Sequence, residues 1–306
     1  MTTDWQTTGH EDCFPFARSF DVAHVSDLHF GRTEPCRVRA LSEALVQAPP
    51  DLLVVTGDLT QRARTSQFRL ARRFLDDIPC PKLVVPGNHD IAPFFHPLAR
   101  LLWPRRRYQR FLGDIALVQR EGLIAIGIDS VSRWRAKEGS LTRTQLSDLR
   151  RILADLPRGF RVLASHHPLI HPQRGVRHRV PGRLVDLLQE LQIDLALSGH
   201  LHESWAGPRC HCSSHDARLR TLFVQASTAT STRLRGHRNA YNRLQIADAG
   251  ITLRVESFDG FEFTTTDTRR YVAGAEQHEP EVALTRFRNA DWEGCYSGAS
   301  GGATSW

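Results

Sequence analysis

Lysine is nearly missing from this chain: Lys82 and Lys137 are the only two among 40 basic residues, so the formal net charge of +7 is carried by arginine. Methionine occurs once, at Met1, and there are four tyrosines in 306 residues. No apolar run is long enough to span a bilayer. The first 19 residues hold Asp4, Glu11 and Asp12 and no hydrophobic stretch, so they are not expected to be a secretory leader. Six cysteines scattered over this length do not make a disulfide framework, so the cytoplasm is the expected compartment. No internal repeat is present. An apolar fraction of 41% over 306 residues is enough for one large buried core.

What the chain does contain is a set of short polar clusters, each placed where an apolar run ends. Phe20–Val25 runs into Asp27-Leu28-His29, Asp51–Val55 into Gly57-Asp58, and Pro81–Val85 into Gly87-Asn88-His89-Asp90. Phe160–Ala164 runs into His166-His167, and Ile193–Leu197 into Gly199-His200-Leu201-His202. Short aliphatic runs bounded by Gly, Pro or Asp read as buried strands. Between them lie helical patterns: Leu146, Leu149 and Leu153, then Leu184, Leu187, Leu188 and Leu191, each at the spacing of one helix face. Thr142 and Gln145 form a capping box for the first of these. Val38, Leu41 and Leu45 mark an earlier helix, with Thr33 as candidate cap and Pro35 in its first turn.

Strands alternating with helices give βαβ units and a largely parallel, buried sheet. Polar residues at the strand C-termini then converge on one edge, where open α/β folds place their ligands. The second half of the chain carries weaker strand patterns at 220–224, 242–246 and 251–255. After Tyr271 the pattern dissolves, and Ser297–Ser305 is rich in Gly, Ser and Ala. The expected organisation is an N-terminal arm over 1–19, a catalytic domain over 20–271, and a partly mobile tail over 272–306.

The clustered residues have the chemistry of a metal site. Asp, Asn and His suit Mn, Fe or Zn, and no thiolate belongs to the set. Two such metals about 3.5–4 Å apart need a bridging ligand, which a carboxylate can supply. The pair acidifies a bridging water and neutralises phosphate oxygens, which is the chemistry of phosphoester hydrolysis. His89, next to Asn88, can stabilise the equatorial oxygens or protonate the leaving alkoxide. Asp90 either orients His89 or caps the segment after it. Cys210-His211-Cys212 with His215 lacks a second matched pair and the usual spacing of zinc cysteines, and is read as a loop.

The series Asp-x-His, Gly-Asp, Gly-Asn-His-Asp, His and Gly-His-x-His resembles the calcineurin-like metallophosphoesterase superfamily, over about Phe20 to Phe258. Within it the chain is most similar to bacterial class III cyclic-nucleotide phosphodiesterases. The resemblance implies a mixed α/β fold, a four-layer αββα sandwich of two mixed β-sheets flanked by helices. It implies one metal held by Asp27, His29, Asp58 and His202 and a second by Asp58, Asn88, His166 and His200, with Asp58 bridging. His89 and Asp90 are then the catalytic residues, and His167 and Arg233 are expected beside the substrate. Gln61 and Arg62 stand where serine/threonine protein phosphatases carry an acid and an arginine, and His89 stands where lipid A-precursor diphosphatases carry an arginine. Mre11-like nucleases share the motifs but add a DNA-binding apparatus for which this chain has little room.

Substrate choice rests on the surroundings. Arginines cluster at 105–110, at Arg174, Arg177 and Arg179, and at Arg233, Arg235 and Arg238, and a basic rim attracts anionic substrates. The segment 91–113 has an apolar side (Phe94, Phe95, Leu98, Leu101, Leu102 and Trp103) and a basic one. It is read as a lid whose aromatics stack on a base, or as a helix packed on the core or on a second copy. The expected partners are a small phosphoester or nucleotide, with nucleic acid less favoured, no membrane, and a homodimer as a further option. The activity expected is a dinuclear metal-dependent phosphodiesterase, with nuclease, phosphomonoesterase or a non-catalytic module as alternatives.

Overall fold

Val22 and Ala23 are neighbours on one strand, yet they pack into different cores. Side chains alternate across a strand, so a strand that is apolar on both faces must be covered on both. The computed structural model describes residues 19–115, 117–120, 122–135, 138–169, 182–207, 221–234 and 236–272. In chain order its elements are β1 (Phe20–Val25), α1 (Pro35–Gln47), β2 (Leu52–Thr56), α2 (Thr65–Asp76), β3 (Lys82–Val85), α3 (Pro97–Leu102) and α4 (Arg106–Leu112). Then come β4 (Leu117–Arg120), β5 (Leu123–Gly127), α5 (Arg143–Ala154), β6 (Phe160–Ala164), α6 (Gly182–Glu190), β7 (Leu195–Ser198) and β8 (Trp205–Gly207). The last four strands are β9 (Leu222–Gln225), β10 (Ala240–Ala247), β11 (Gly250–Phe258) and β12 (Phe263–Val272).

Two six-stranded mixed sheets result, ordered β12-β11-β10-β1-β2-β3 and β4-β5-β6-β7-β9-β8. In the first, β1, β2 and β3 are parallel and β10 to β12 antiparallel; in the second, β5, β6, β7 and β9 are parallel, with β4 and β8 antiparallel at the edges. Val22, Val54 and Val85 meet Ala125, Val162 and Val224 between the sheets. Val25, Leu53 and Val55 face outward against Leu41 and Leu45 of α1 and Phe68 and Phe74 of α2. Ile124, Leu163 and Ala196 do the same against Leu149 and Leu153 of α5 and Leu187 and Leu188 of α6. The order is helix, sheet, sheet, helix, the four-layer arrangement expected. Each fully buried aliphatic such as Leu53 contributes ~2 kcal/mol relative to exposure.

Two local expectations meet different outcomes. The Thr142 hydroxyl accepts from the Gln145 backbone N–H at 3.2 Å and the Gln145 side chain returns to the Thr142 N–H, so the capping box of α5 is present. The cap position of α1 is Glu34, not Thr33, because Thr33 is drawn into a bridge with Ser231; Pro35 does open the helix. The segment 91–113 divides: α4 packs on the core through buried Tyr108 and through Phe111 stacked on Phe68, whereas α3 leaves its apolar residues in solvent. No helix among the described residues is long and apolar enough to cross a membrane. The arm over 1–18, the tail over 273–306, Arg174, Arg177, Arg179, Arg235 and the Cys210–His215 group lie outside the described residues.

Candidate metal centre

The C-terminal ends of β1, β2, β3, β6 and β7 come together, and each delivers one of the polar clusters. The turns that follow them extend the parallel pairing for a few residues: Asp27 N–H donates to Gly57 O at 3.1 Å and His29 N–H to Asp58 O at 2.8 Å. Leu28 between them is fully buried, which turns Asp27 and His29 back into the site. Asp27, His29, Asp58, His200 and His202 all have φ between 51° and 74°, the left-handed region; only Ala63 and Gln192 join them among non-glycine described residues. Each such residue costs ~1–2 kcal/mol of backbone strain, and strain of this kind gathers at functional sites. Gly199 is required by close approach: a Cβ there would overlap the Ser26 hydroxyl and lie 2.6 Å from Asp27 Oδ2.

Two groups of donors form around the Asp58 carboxylate. On one side, Asp27 Oδ1 lies 3.1 Å from His202 Nε2 and 3.6 Å from His29 Nε2, while the two imidazole nitrogens are 3.3 Å apart. Asp27 Oδ2 is occupied by the Ser26 hydroxyl at 2.6 Å and His200 N–H at 2.9 Å. On the other side, His166 Nε2 lies 3.0 Å from Asn88 Oδ1 and 3.2 Å from His200 Nδ1. Asp58 turns Oδ2 toward His29 Nε2 at 3.7 Å and Oδ1 toward His166 Nε2 at 3.5 Å.

Backbone carbonyls fix the ring tautomers. A carbonyl only accepts, so His166 Nδ1 donates to Thr56 O at 2.7 Å, His202 Nδ1 to Arg233 O at 3.1 Å, and His89 Nδ1 to Gln61 O at 2.7 Å. In its neutral form each of these rings turns Nε2, the acceptor nitrogen, toward the site, an orientation typical of metal-bound histidine. In that form His166 Nε2 faces Asn88 Oδ1, and His202 Nε2 faces the buried Asp27 Oδ1, acceptor against acceptor. Such contacts repel when empty and coordinate when a cation lies between them, so the residues fit a divalent pair. Burial raises the carboxyls of Asp27 and Asp58, but protonated imidazoles around them outweigh it and hold both below the usual carboxylate range, and the two carboxylates raise His166 in return against its own burial.

The remaining candidates are placed differently. His89 is half-buried; burial lowers its pKa against the pull of Asp58, and the charge of Arg233 lowers it further. Arg233 is exposed at the rim. His167 is buried, its Nδ1 paired with Ser130 Oγ at 2.9 Å and its ring 4.5 Å from that of His200, so it stands behind His200. Asp90 does not hydrogen-bond the His89 ring, whose Nδ1 is held at Gln61. Its Oδ2 accepts from Leu59 and Gly87 N–H, and its Oδ1 from Thr60 N–H and hydroxyl, at 2.8–3.1 Å, which clips the loop after β2 to the loop after β3. Orientation of His89 falls instead to the Gln61 carbonyl.

Several supporting residues carry no motif signal. Thr228 and Thr230 donate hydroxyls to the carbonyls of Asp27 and Leu28, both at 2.7 Å, and so hold the first ligand loop. Beneath it, His24 is fully buried between Thr56 Oγ1 and Asn242 and is kept neutral, with its pKa lowered to about 3 by burial. The hydroxyl run 227–232 was the available clue to the first pair.

Comparison with known proteins agrees with this geometry. A probable cyclic nucleotide phosphodiesterase from Synechococcus is 26% identical over 210 residues, 64% of this chain and 78% of the relative. The 3',5'-cyclic adenosine monophosphate phosphodiesterase CpdA of Escherichia coli is 27% identical over 226 residues, 64% and 77% of the two chains. The purple acid phosphatase PPD1 of yellow lupin superposes with a TM-score of 0.60 at 15% identity, over 82% of this chain and 54% of its own, a likeness of fold alone. Residues 20–204, more than half of the sequence, match the model of the calcineurin-like phosphoesterases. With that match and this donor set, the chain belongs to the calcineurin-like phosphoesterase family and is a phosphoric ester hydrolase.

Proposed function

We propose that this hydrolase is a phosphodiesterase for cyclic nucleotides and other small phosphodiesters, working with two divalent cations in one catalytic domain over 20–271. The observation that carries the two-cation reading is the Asp58 carboxylate, with one oxygen toward each donor group. On this reading Asp27, His29, Asp58 and His202 hold one cation and Asp58, Asn88, His166 and His200 the other. Mn, Fe or Zn suits these donors. When bound, the pair supplies charge to the phosphate oxygens and acidity to a water. His89, with Nδ1–H fixed on Gln61 O, directs Nε2 at the substrate and acts as the imidazolium: once protonated on Nε2 it stabilises phosphate charge and gives that proton to the departing oxygen. Arg233 at the rim attracts the anionic substrate, and His167 holds the ring of His200 in place. The names of the relatives support the diester preference, and the cytoplasm supplies such nucleotides.

The test is metal removal, add-back of Mn, and comparison of bis-p-nitrophenyl phosphate, p-nitrophenyl phosphate and cyclic nucleotides, with Asn88→Ala as control. Metal-dependent diester turnover that Asn88→Ala abolishes is the expected result. Preference for the monoester, or for a polynucleotide offered alongside, would replace this reading with a phosphatase or a nuclease.

A further inference from the structure

Helix α3 is inside out. Arg100 is 6% exposed, its guanidinium held by Ala92 O at 2.7 Å, Arg133 O at 2.8 Å and the ring of Phe94 at 3.7 Å, whereas Leu98 is 72% and Phe95 65% exposed. Hydrophobic residues scattered singly on a surface are ordinary, but an apolar group facing water beside a buried arginine is not. The platform beneath is built rather than loose. Ala92 N–H closes on Pro104 O, Arg105 pairs with Asp129 and Val131 O, and Arg133 donates to Leu101 O, so the segment is stitched to the loop that carries Trp134, itself 72% exposed. Arginine is spent on holding the backbone, and the apolar side chains are turned out.

The charge around this face selects its occupant. Residues 91–113 carry five arginines and no acid, and Arg106, Arg107 and Arg110 are exposed on α4, which follows α3 directly. A second copy of the chain would bring the same basic face against itself, which opposes a symmetric dimer. Exposed Phe, Leu and Trp followed in the chain by exposed arginines have the composition of an element that lies in the headgroup region of an anionic bilayer. We propose that α3 and its flanks are a membrane-surface docking element, inserting Phe94, Phe95, Leu98, Leu102, Trp103 and Trp134 among the lipids of an anionic membrane. Lying on a surface needs no spanning segment, so the absence of a membrane-crossing helix does not oppose it. Phe94 follows His89 by five residues, a reach of at most ~18 Å, so docking sets the hydrolytic centre at the membrane surface.

Flotation of the full chain with vesicles of phosphatidylcholine, alone or with equimolar phosphatidylglycerol, tests this. Wild type is expected to float with the anionic vesicles, less with the neutral ones, and less again at high salt. Leu98→Ser with Trp103→Ser should weaken partitioning about tenfold or more, while turnover of a soluble diester stays at the wild-type level. Failure of wild type to float, or equal flotation of the double variant, overturns the proposal. So does sedimentation showing a wild-type dimer that the double variant splits, since the face would then belong to a second copy.

Discussion

Gly87 lies against Asp58 so closely that a Cβ on Gly87 would overlap both the Oδ1 and the backbone nitrogen of Asp58. The loop after β3 therefore passes directly over the carboxylate that stands between the two donor groups. Gly87→Ala cannot be absorbed by a flexible side chain, because one of the clashing atoms is backbone. We expect kcat/KM to fall about 100-fold, since a misplacement of about 1 Å can have an effect of that size. Bound metal, measured by elemental analysis after dialysis, should fall below two equivalents. Wild-type metal content and rate in Gly87→Ala would show that the loop can move away without cost.

Asp90 is a clip, and its loss should look different. Asp90→Ala leaves the N–H groups of Leu59, Thr60 and Gly87 without their acceptor in a buried place. The expected cost is ~3 kcal/mol or more in urea unfolding of the metal-free protein, with metal affinity lowered ~10–100-fold through the displaced Asp58 and Asn88 loops. Asp90→Asn keeps one acceptor oxygen and should recover part of both. A variant that unfolds at the wild-type midpoint yet has lost activity would return Asp90 to a direct catalytic role.

His89 separates chemistry from architecture. His89→Asn should leave two metals bound and KM near wild type while kcat falls by about 10²–10⁴. The leaving group decides between its two proposed roles. p-Nitrophenolate departs without a proton, so a proton donor matters little for bis-p-nitrophenyl phosphate and much for a cyclic nucleotide. Equal losses on both substrates would assign His89 to charge stabilisation alone.

Most of the candidate site was legible because continuous apolar runs end abruptly in this chain. Val54 and Val55 are fully buried on opposite faces, and a strand of that kind that stops at Gly57-Asp58 has placed a carboxylate inside the protein. Elements that bury one face or lie at an edge were harder to read. β12 is Phe-Thr-Thr-Thr-Asp-Thr-Arg-Arg-Tyr-Val at the rim of its sheet, and β4 is a mostly exposed edge strand, so neither has a continuous apolar run. α2 starts at Arg64 without a Ser, Thr, Asp or Asn cap, although Phe68, Ala71 and Leu75 keep helical spacing. Most partners of Asp90 are backbone groups, two of them about thirty residues earlier at Leu59 and Thr60, and backbone has no signature in sequence. The direction in which Leu98 points depended on Arg100 finding carbonyls inside, which spacing does not show.

Asp194 offers a titration far from the metal ligands in the chain's logic, since its task is to join strands. Its Oδ2 accepts Arg161 N–H at 2.7 Å, and its carbonyl accepts Leu222 N–H at 2.8 Å, so it ties the starts of β6, β7 and β9. Burial raises its pKa from 3.8 to about 6, against the opposing hydrogen bond from Arg161. A carboxyl whose folded pKa is raised favours the fold while protonated, and that contribution is lost as pH rises from about 4 to about 6. The full swing is ~3 kcal/mol. Asp194→Asn keeps an acceptor and removes the titration, so wild type should lose stability relative to the variant across that window and run parallel to it above. Urea midpoints of both metal-free proteins from pH 4 to pH 7.5 give the difference directly, and ligand histidines and carboxylates titrate alike in both and cancel. Parallel curves throughout would mean that Asp194 ionises in the folded chain as freely as in the unfolded one, and that solvent reaches it despite its place at the strand starts.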